Sequence, residues 1–504
     1  VKILRRLSLG LLFGLLAYRV LPGHTVTIGE SAASPGDAPS TSNAFWVGYL
    51  ERGPVDAPIK VISLTDAVEK AGDRLAADPT LYDSIDAAFR EGASVIYLGR
   101  IVGPDAATAI GQLIDRDSLP TLGISATSEG DWGNDIKVSC VFDAGGTFIL
   151  TVYYDGAIVE ASPSLANAGE AVLWAQQNSA YIVLEDLTTA YESAEDPRTQ
   201  DETLEGGDSD LTNATTTELE VALNLFRNDL GAGQVAAPGF TSSEVHDALL
   251  AHAVANNRRA LLDLVDTDDE DTLAGVALAL RAADDNGARF GGAFAPRFRI
   301  PGISAGTTRT VPYSAIQTGL IARAEGAGLT PNKAAAGKNG RCRYATGLTQ
   351  DFTDAQREVL NDSGVNAAIL IRGIPTTYGN RTLTNPTTDG DWKSFSASRL
   401  VMAVAAASAE VMADYDFEEI DGHGYVFKKL QGDLSGRACM PFYLANSLYG
   451  QTPEEAFNVN TGPDVNTPTT IAAEQIKAKV AIRVSSTGEM LLTEIVKVPI
   501  TESL

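Results

Sequence analysis

The residues best suited to chemistry are a run of acids: Asp263, Asp266, Asp268, Asp269, Glu270 and Asp271. Carboxylates bind Ca²⁺ or Mg²⁺ when their oxygens converge. This spacing does not match a calcium loop. The run falls where an apolar strand pattern gives way to a helical one, and acids there accept from free amides and oppose the helix dipole. Glu205, Asp208 and Asp210 lie in the turn-like EGGDSD and read as a solvated loop. Cys140, Cys342 and Cys439 have neither metal nor disulfide-framework spacing. His24, His246, His252 and His423 are not at ligand offsets. GxGxxG and GxxxxGK[ST] are both absent. AAAGKNG, residues 334–340, lacks the full phosphate-loop spacing, so Lys338 reads as a surface lysine. GISAGT, residues 302–307, has the GxSxG spacing, but no histidine follows at a persuasive place, so it does not read as a nucleophile elbow. Trp46, Trp132, Trp174 and Trp392 are scattered and form no stacking platform in sequence. With no nucleophile–base pair, the expectation is a structural or binding protein, not an enzyme, with no catalytic residue, cofactor or metal.

The elements that position these residues centre on residues 245–300. A helical pattern leads into the apolar RALLDLV, and a second helical pattern leads into a run ending FAPRFRI. RALLDLV lacks alternation, which suits a strand covered on both faces. Upstream, AFWVGYL reads as a buried strand, residues 81–92 as a helix stopped by Gly92, and SVIYLGRI as the next strand. From Leu119 the texture becomes short extended pieces: 131–138, 147–154, 157–161 and 181–184, with a hairpin around Asp155-Gly156. Residues 164–176 read as a helix within them. Further helices are expected over 219–226, 353–360 and 394–415, a joint and then a helix over 309–324, and a strand over 365–372. In residues 476–498, Lys477 and Lys479 alternate with Ala478, Val480 and Ile482, and 489–498 reads as a second strand of a terminal hairpin.

The reading is a multidomain α+β or α/β chain: a helix-flanked mixed-sheet core, an inserted β-rich domain and extended terminal arms. Residues 1–43 form an N-terminal arm and linker, 44–118 and 218–475 the two parts of the core, 119–217 the insert, and 476–504 a C-terminal hairpin or arm. Acidic residues outnumber basic ones by 65 to 38 over 504 residues, a formal charge of -27. That excess opposes attraction to phosphate, so no direct nucleic-acid contact is expected. Residues 2–21, KILRRLSLGLLFGLLAYRVL, have the basic head and apolar run of a signal or anchor segment. Their uninterrupted apolar part, residues 9–18, is too short to span a bilayer. Packing on a partner is the competing reading, and no stable membrane insertion is expected.

Several phrases, taken in order, resemble the contractile bacteriophage tail sheath family. AFWVGYLERGPVDAPIKVISL is similar to that family's opening strand and turn, and LYDSIDAAFREGASVIYLGRIVG to its next helix and strand. QVAAPGFTSSEVHDALLAHAVANNRRALLDLVD and RTVPYSAIQTGLIARAEGAGLTPNKAAAG continue the likeness. NRTLTNPTTDGDWKSFSASRLV resembles the family's "W-G-x-R-T-L" stretch and long helix, with Tyr378 where Trp is common. GPDVNTPTTIAAEQIKAKVAIRV resembles its closing turn and strand. The likeness covers about 44–110 and 219–504; Pro22-Gly23-His24 stands in for the usual "PGV" opening.

The resemblance implies a sheath subunit that polymerises as stacked, six-fold rings around an inner tail tube and contracts to drive that tube through a host envelope. Its partners would be further copies, the tube protein, and tail terminator and baseplate proteins. It would reside in the virion's tail after assembly in the host cytoplasm. Alternatives are the sheath of a phage-like contractile injection system and an acidic envelope-associated binding protein. Terminal arms are expected to add strands to neighbours through Val26, Ile28, Leu491, Leu492, Ile495 and Val496. Lys477, Lys479, Arg483 and Lys497 are the candidate tube-facing cations. The linker 31–43 and residues 460–470 are candidate hinges.

Overall fold

The computed structural model describes residues 40–143, 145–188 and 197–488. The chain opens with β1 (Asn43–Tyr49), β2 (Ile59–Val61), α1 (Leu64–Ala71), α2 (Thr80–Glu91) and β3 (Ile96–Ile101). In β1, Ala44 and Trp46 pack into one apolar cluster while Phe45 and Val47 pack into another on the opposite face. Successive side chains alternate between faces, so an unbroken apolar run means both faces are covered. Ser63 caps α1 by accepting from the Asp66 amide, and Gly92, at φ 125, ends α2.

The β-rich segment follows: β4 (Ile110–Ile114), β5 (Pro120–Ala126), β6 (Ile136–Phe142), β7 (Phe148–Tyr154), β8 (Ala157–Ala161), α3 (Ala168–Asn178), β9 (Ile182–Asp186) and β10 (Gln200–Thr203). They form sheets of order β10-β6-β7-β8 and β4-β5-β9 around Trp132, Phe148, Leu150 and Leu184. Asp155 and Gly156 both have positive φ, 46 and 74, the tight turn expected between β7 and β8. Two details differ from the sequence reading. Residues 131–135 form a 3₁₀ turn, and extended structure begins only at Ile136. β4, read from sequence as part of the core, pairs with β5 and buries Leu113 in the β-rich cluster.

The main chain then resumes with α4 (Thr216–Asn224), β11 (Gly233–Ala236), α5 (Ser243–Ala255), β12 (Arg259–Asp263), α6 (Glu270–Ala283), β13 (Gly291–Ala295), β14 (Phe298–Pro301), β15 (Thr308–Val311), α7 (Tyr313–Gly326), β16 (Gly347–Leu348), α8 (Asp354–Ser363), β17 (Val365–Ile371), β18 (Ile374–Thr377) and α9 (Phe395–Ala413). The large sheet runs β18-β17-β13-β12-β11-β1-β3-β2, parallel within and antiparallel at its two outer pairs, which makes it the expected mixed sheet. Two buried ionic joints tie α2 to its neighbours, α7 and the smaller β15-β14-β16 sheet. Glu91, fully buried, accepts from Arg323 Nη1 at 2.9 Å and from the amides of Arg343, Tyr344 and Ala345 at 2.8–3.2 Å. Arg309 donates to Asp83 at 2.7 Å and Asp86 at 2.6 Å, tying β15 to α2.

A separate lobe closes the chain. α10 (Tyr425–Asp433), a π-helical turn over Leu434–Cys439, α11 (Met440–Leu444), β19 (Phe457–Asn460) and β20 (Lys479–Ile482) pack against α9. Its core is Leu400, Val404, Val411, Leu430, Phe442 and Val459. α9 is long and apolar enough to cross a membrane, but 67% of that stretch is buried between this lobe and the main sheet.

Candidate assembly interface

An assembly built on strand addition needs a sheet edge with unused backbone groups. Both edges of the main sheet are blunted. Along β18, the Cys342 amide donates to Pro375 O at 3.0 Å and Thr377 Oγ1 to Ala335 O at 2.7 Å. β2 is only three residues long, and Lys70 Nζ donates to Lys60 O at 2.8 Å.

β20 is different. It pairs antiparallel with β19, with Asn458 opposite Ala481 and Val459 opposite Val480. The Arg483 amide donates to Ala456 O at 2.8 Å, which fixes the alternation: Lys479, Ala481 and Arg483 point their backbone groups at β19. Val480, Ile482 and Val484 therefore turn theirs outward. Beyond β20, the Tyr449 amide donates to Arg483 O at 2.7 Å and the Ser485 amide to Ser447 O at 2.9 Å, on the same flank as β19. Among the described residues no strand pairs with the other flank. On the outward flank of β19, Gln431 Nε2 donates to Val459 O at 2.7 Å and the Phe457 amide donates to Pro453 O.

Side chains along this strand separate cleanly. Ile476, Ala478, Val480, Ile482 and Val484 pack on the lobe core. Lys477, Lys479, Ala481 and Arg483 are all exposed, so three cations share one face in an acidic chain. Tyr449, 65% exposed, lies beside Arg483, and Leu444, 72% exposed, ends the neighbouring α11. Thus residues 476–484 are part of the folded lobe and pair upstream with β19, while the second strand expected over 489–498 lies outside the described residues. Residues 460–470, read from sequence as a hinge, are tied down: Asn466 donates to Thr461 O and Lys477 O at 2.9 and 2.7 Å and accepts from the Lys477 amide at 2.8 Å. Val26, Ile28, Leu491, Leu492, Ile495, Val496 and Lys497 lie outside the described residues.

The point where the chain leaves toward residue 39 is anchored. Thr41 donates through its amide and hydroxyl to Glu325, at 2.9 and 2.8 Å, and accepts from Gln234 Nε2 at 2.7 Å. Glu325 in turn faces Arg399 of α9 at 3.8 Å. Burial pushes the Arg399 guanidinium down to about 10, against the opposing pull of Glu325. Sequence reasoning placed 31–43 in a linker and missed this anchor; STSN, residues 40–43, gives no periodic pattern that would mark it.

The acids of the 263–271 run diverge. Asp263 is buried and accepts from the Ser314 amide and hydroxyl at 2.8 and 2.6 Å, while Asp269 caps α6. His246 Nε2 lies 3.0 Å from Asp263 O, and His252 Nε2 lies 2.8 Å from Arg258 Nη1, so both are internal packing groups. Among the described residues no three of His, Cys, Asp or Glu converge as metal ligands.

Comparison with solved structures identifies the fold. A sheath tail protein from Listeria innocua superposes with a TM-score of 0.61 at 12% identity, covering 85% of this chain and 90% of that one. A sheath tail protein from Desulfitobacterium hafniense gives 0.56 at 14% identity, covering 87% and 93%. The contracted PVC sheath complex of an extracellular contractile injection system gives 0.57 at 14% identity, covering 95% and 98%. No family model and no curated protein matches the sequence. The chain has the fold of contractile sheath proteins.

Proposed function

We propose that this chain is a structural, non-enzymatic sheath subunit of a contractile phage tail. It polymerises as stacked six-fold rings around an inner tube and contracts to drive the tube through a host envelope. The observation that carries this is the open flank of β20 on a sheath fold. Val480, Ile482 and Val484 offer main-chain donors and acceptors, and the terminal segments of neighbouring copies supply the strands that meet them. Val26 and Ile28 on one side, and Leu491, Leu492, Ile495 and Val496 on the other, are the side chains that would seat such strands. Lys477, Lys479, Arg483 and Lys497 would face an acidic inner tube. Tail terminator and baseplate proteins would cap the tube's ends, and assembly would take place in the host cytoplasm before incorporation into the virion. The energy of contraction would be held in the packing between subunits, with two arrangements of rigid bodies, so no cofactor is needed.

A second reading is the sheath of a phage-like injection system. It is favoured by coverage: the injection-system structures align with 95% of this chain, against 85–87% for the sheath tail proteins. The envelope-associated alternative rests only on residues 2–21 and would show as recovery in a membrane fraction. Negative-stain microscopy of the purified chain tests the main reading. The full chain should form tubes or stacked rings, and a chain ending at Gly488 should remain as soluble, folded monomers. Truncation belongs there and not before Ile476, because removing β20 would strip Val480 and Ile482 from the lobe core. Undiminished polymerisation of the shortened chain, together with one lacking residues 1–39, would overturn strand addition.

A further inference from the structure

The β-rich segment joins the main sheet through two stretches of chain, one leaving β3 and one returning before α4. They run side by side, with the Gly103 amide donating to Ser209 O at 2.9 Å. Two adjacent tethers leave a rotation about their common axis. A third contact, distant in sequence, crosses the same joint.

That contact is the turn after β1, residues 50–53. Arg100, 2% exposed, gathers it from below: Nε donates to Leu50 O at 3.2 Å, Nη1 to Gly53 O at 2.9 Å and Nη2 to Glu51 O at 3.0 Å. The same Nη2 donates to Glu129 O, on the β-rich side, at 2.8 Å. Tyr154 OH donates to Glu51 at 3.0 Å, and the Gly53 amide to Ser128 Oγ at 3.1 Å. Arg52 then enters the β-rich segment. Its guanidinium carbon lies 4.6 Å from the Tyr181 ring centroid, 5.7 Å from Trp132 and 5.8 Å from Tyr154. Its Nη2 donates to Glu69 O, in the last turn of α1, at 2.9 Å. Among the described residues its Nε has no hydrogen-bond acceptor. A desolvated guanidinium with a spare N–H is costly unless ring faces compensate it, and three rings surround this one.

We propose that Arg52 is a latch: seated in the Trp132–Tyr154–Tyr181 cage and bonded to α1, it locks the β-rich segment to the core so that the two move as one rigid body. The inference does not depend on the assembly reading. Gly130 belongs to the same device, since a Cβ there would meet Arg100 Nη2 at 2.7 Å.

The test is a distance distribution across the joint in the full chain. Spin labels at D117C and A355C, diluted with unlabelled chain, report it; the native cysteines are buried. The unaltered latch should give one narrow distance. R52A and Y181A should each broaden it at least twofold, and R52K, which keeps the charge but loses the flat fork, should fall between. Circular dichroism and protection of the β5 and β7 amides should show the β-rich segment still folded in every variant. If R52A does not fold, R52K and Y181A decide alone. Widths equal to that of the unaltered chain in R52K and Y181A would overturn the latch.

Discussion

At the scale of single residues, α2 is held to β15 by buried ion pairs whose loss should be measurable. Asp86 is 3% exposed. Burial pushes its pKa up, but the hydrogen bonds from Arg90 and Arg309 outweigh burial and hold it below the ordinary value. A carboxylate whose folded pKa is depressed contributes stability above its unfolded pKa, and the contribution is lost as pH falls through the folded one. Asp86→Asn should therefore cost about 3 kcal/mol at neutral pH, because it leaves Arg309 and Arg90 short of a charge partner. The gap in urea stability between the two proteins should stay constant from about pH 7 to about pH 5 and close below about pH 4. A gap that ignores pH would show that Asp86 acts by shape alone. Lys477, Lys479 and Arg483 make the opposite kind of claim. They are exposed, so K477E/K479E/R483E should leave the thermal midpoint within about 2 °C while making assembly on the tube fail or become strongly salt-dependent.

At the scale of elements, the flank of β20 gives a paired test. Proline removes an amide donor. At Val480 the lost amide points outward; at Ala481 it points at Asn458 of β19. Val480→Pro should fold as a monomer with modest loss of stability and fail to polymerise. Ala481→Pro should weaken the lobe itself, seen as lost amide protection over β19 and α10. Equal effects of the two on assembly, each through unfolding, would contradict the open-flank account. The same strand shows what local sequence carries. Its alternation of Lys477, Lys479 and Arg483 against Val480 and Ile482 follows from period two and was legible. Its partner was not, because β19 is four residues long and lies nineteen positions upstream behind a loop whose rigidity comes from Asn466, a side chain with no periodic signature. The boundary of the β-rich segment was missed for a related reason. IGQLI reads equally well as the edge of either sheet, and only its register with β5 decides.

At the scale of the whole molecule, the helix–strand alternation of residues 245–300 was the most readable part. β12 and β13 are buried on both faces, with the charged ends of β12, Arg259 and Asp263, held by hydrogen bonds to Ser398 and Ser314, while α6 announces its start with Asp269 and its neighbouring acids. The acids of the 263–271 run do not converge: Asp263 serves a buried joint to Ser314 and Asp269 caps α6. The sheath likeness rested on the order of several weak phrases, and the superposed structures retain that architecture at 12–14% identity. Burial pattern and strand order outlast the side chains that first produced them. What sequence leaves open is where the terminal segments dock, since that depends on a second copy. A cryo-electron microscopy map of the purified assembly measures this directly. The account predicts a strand from another copy running beside β20, about 4.8 Å away and bonded to Val480 and Ile482. A map in which that flank faces solvent, or is covered only by the same chain's own tail, would contradict it.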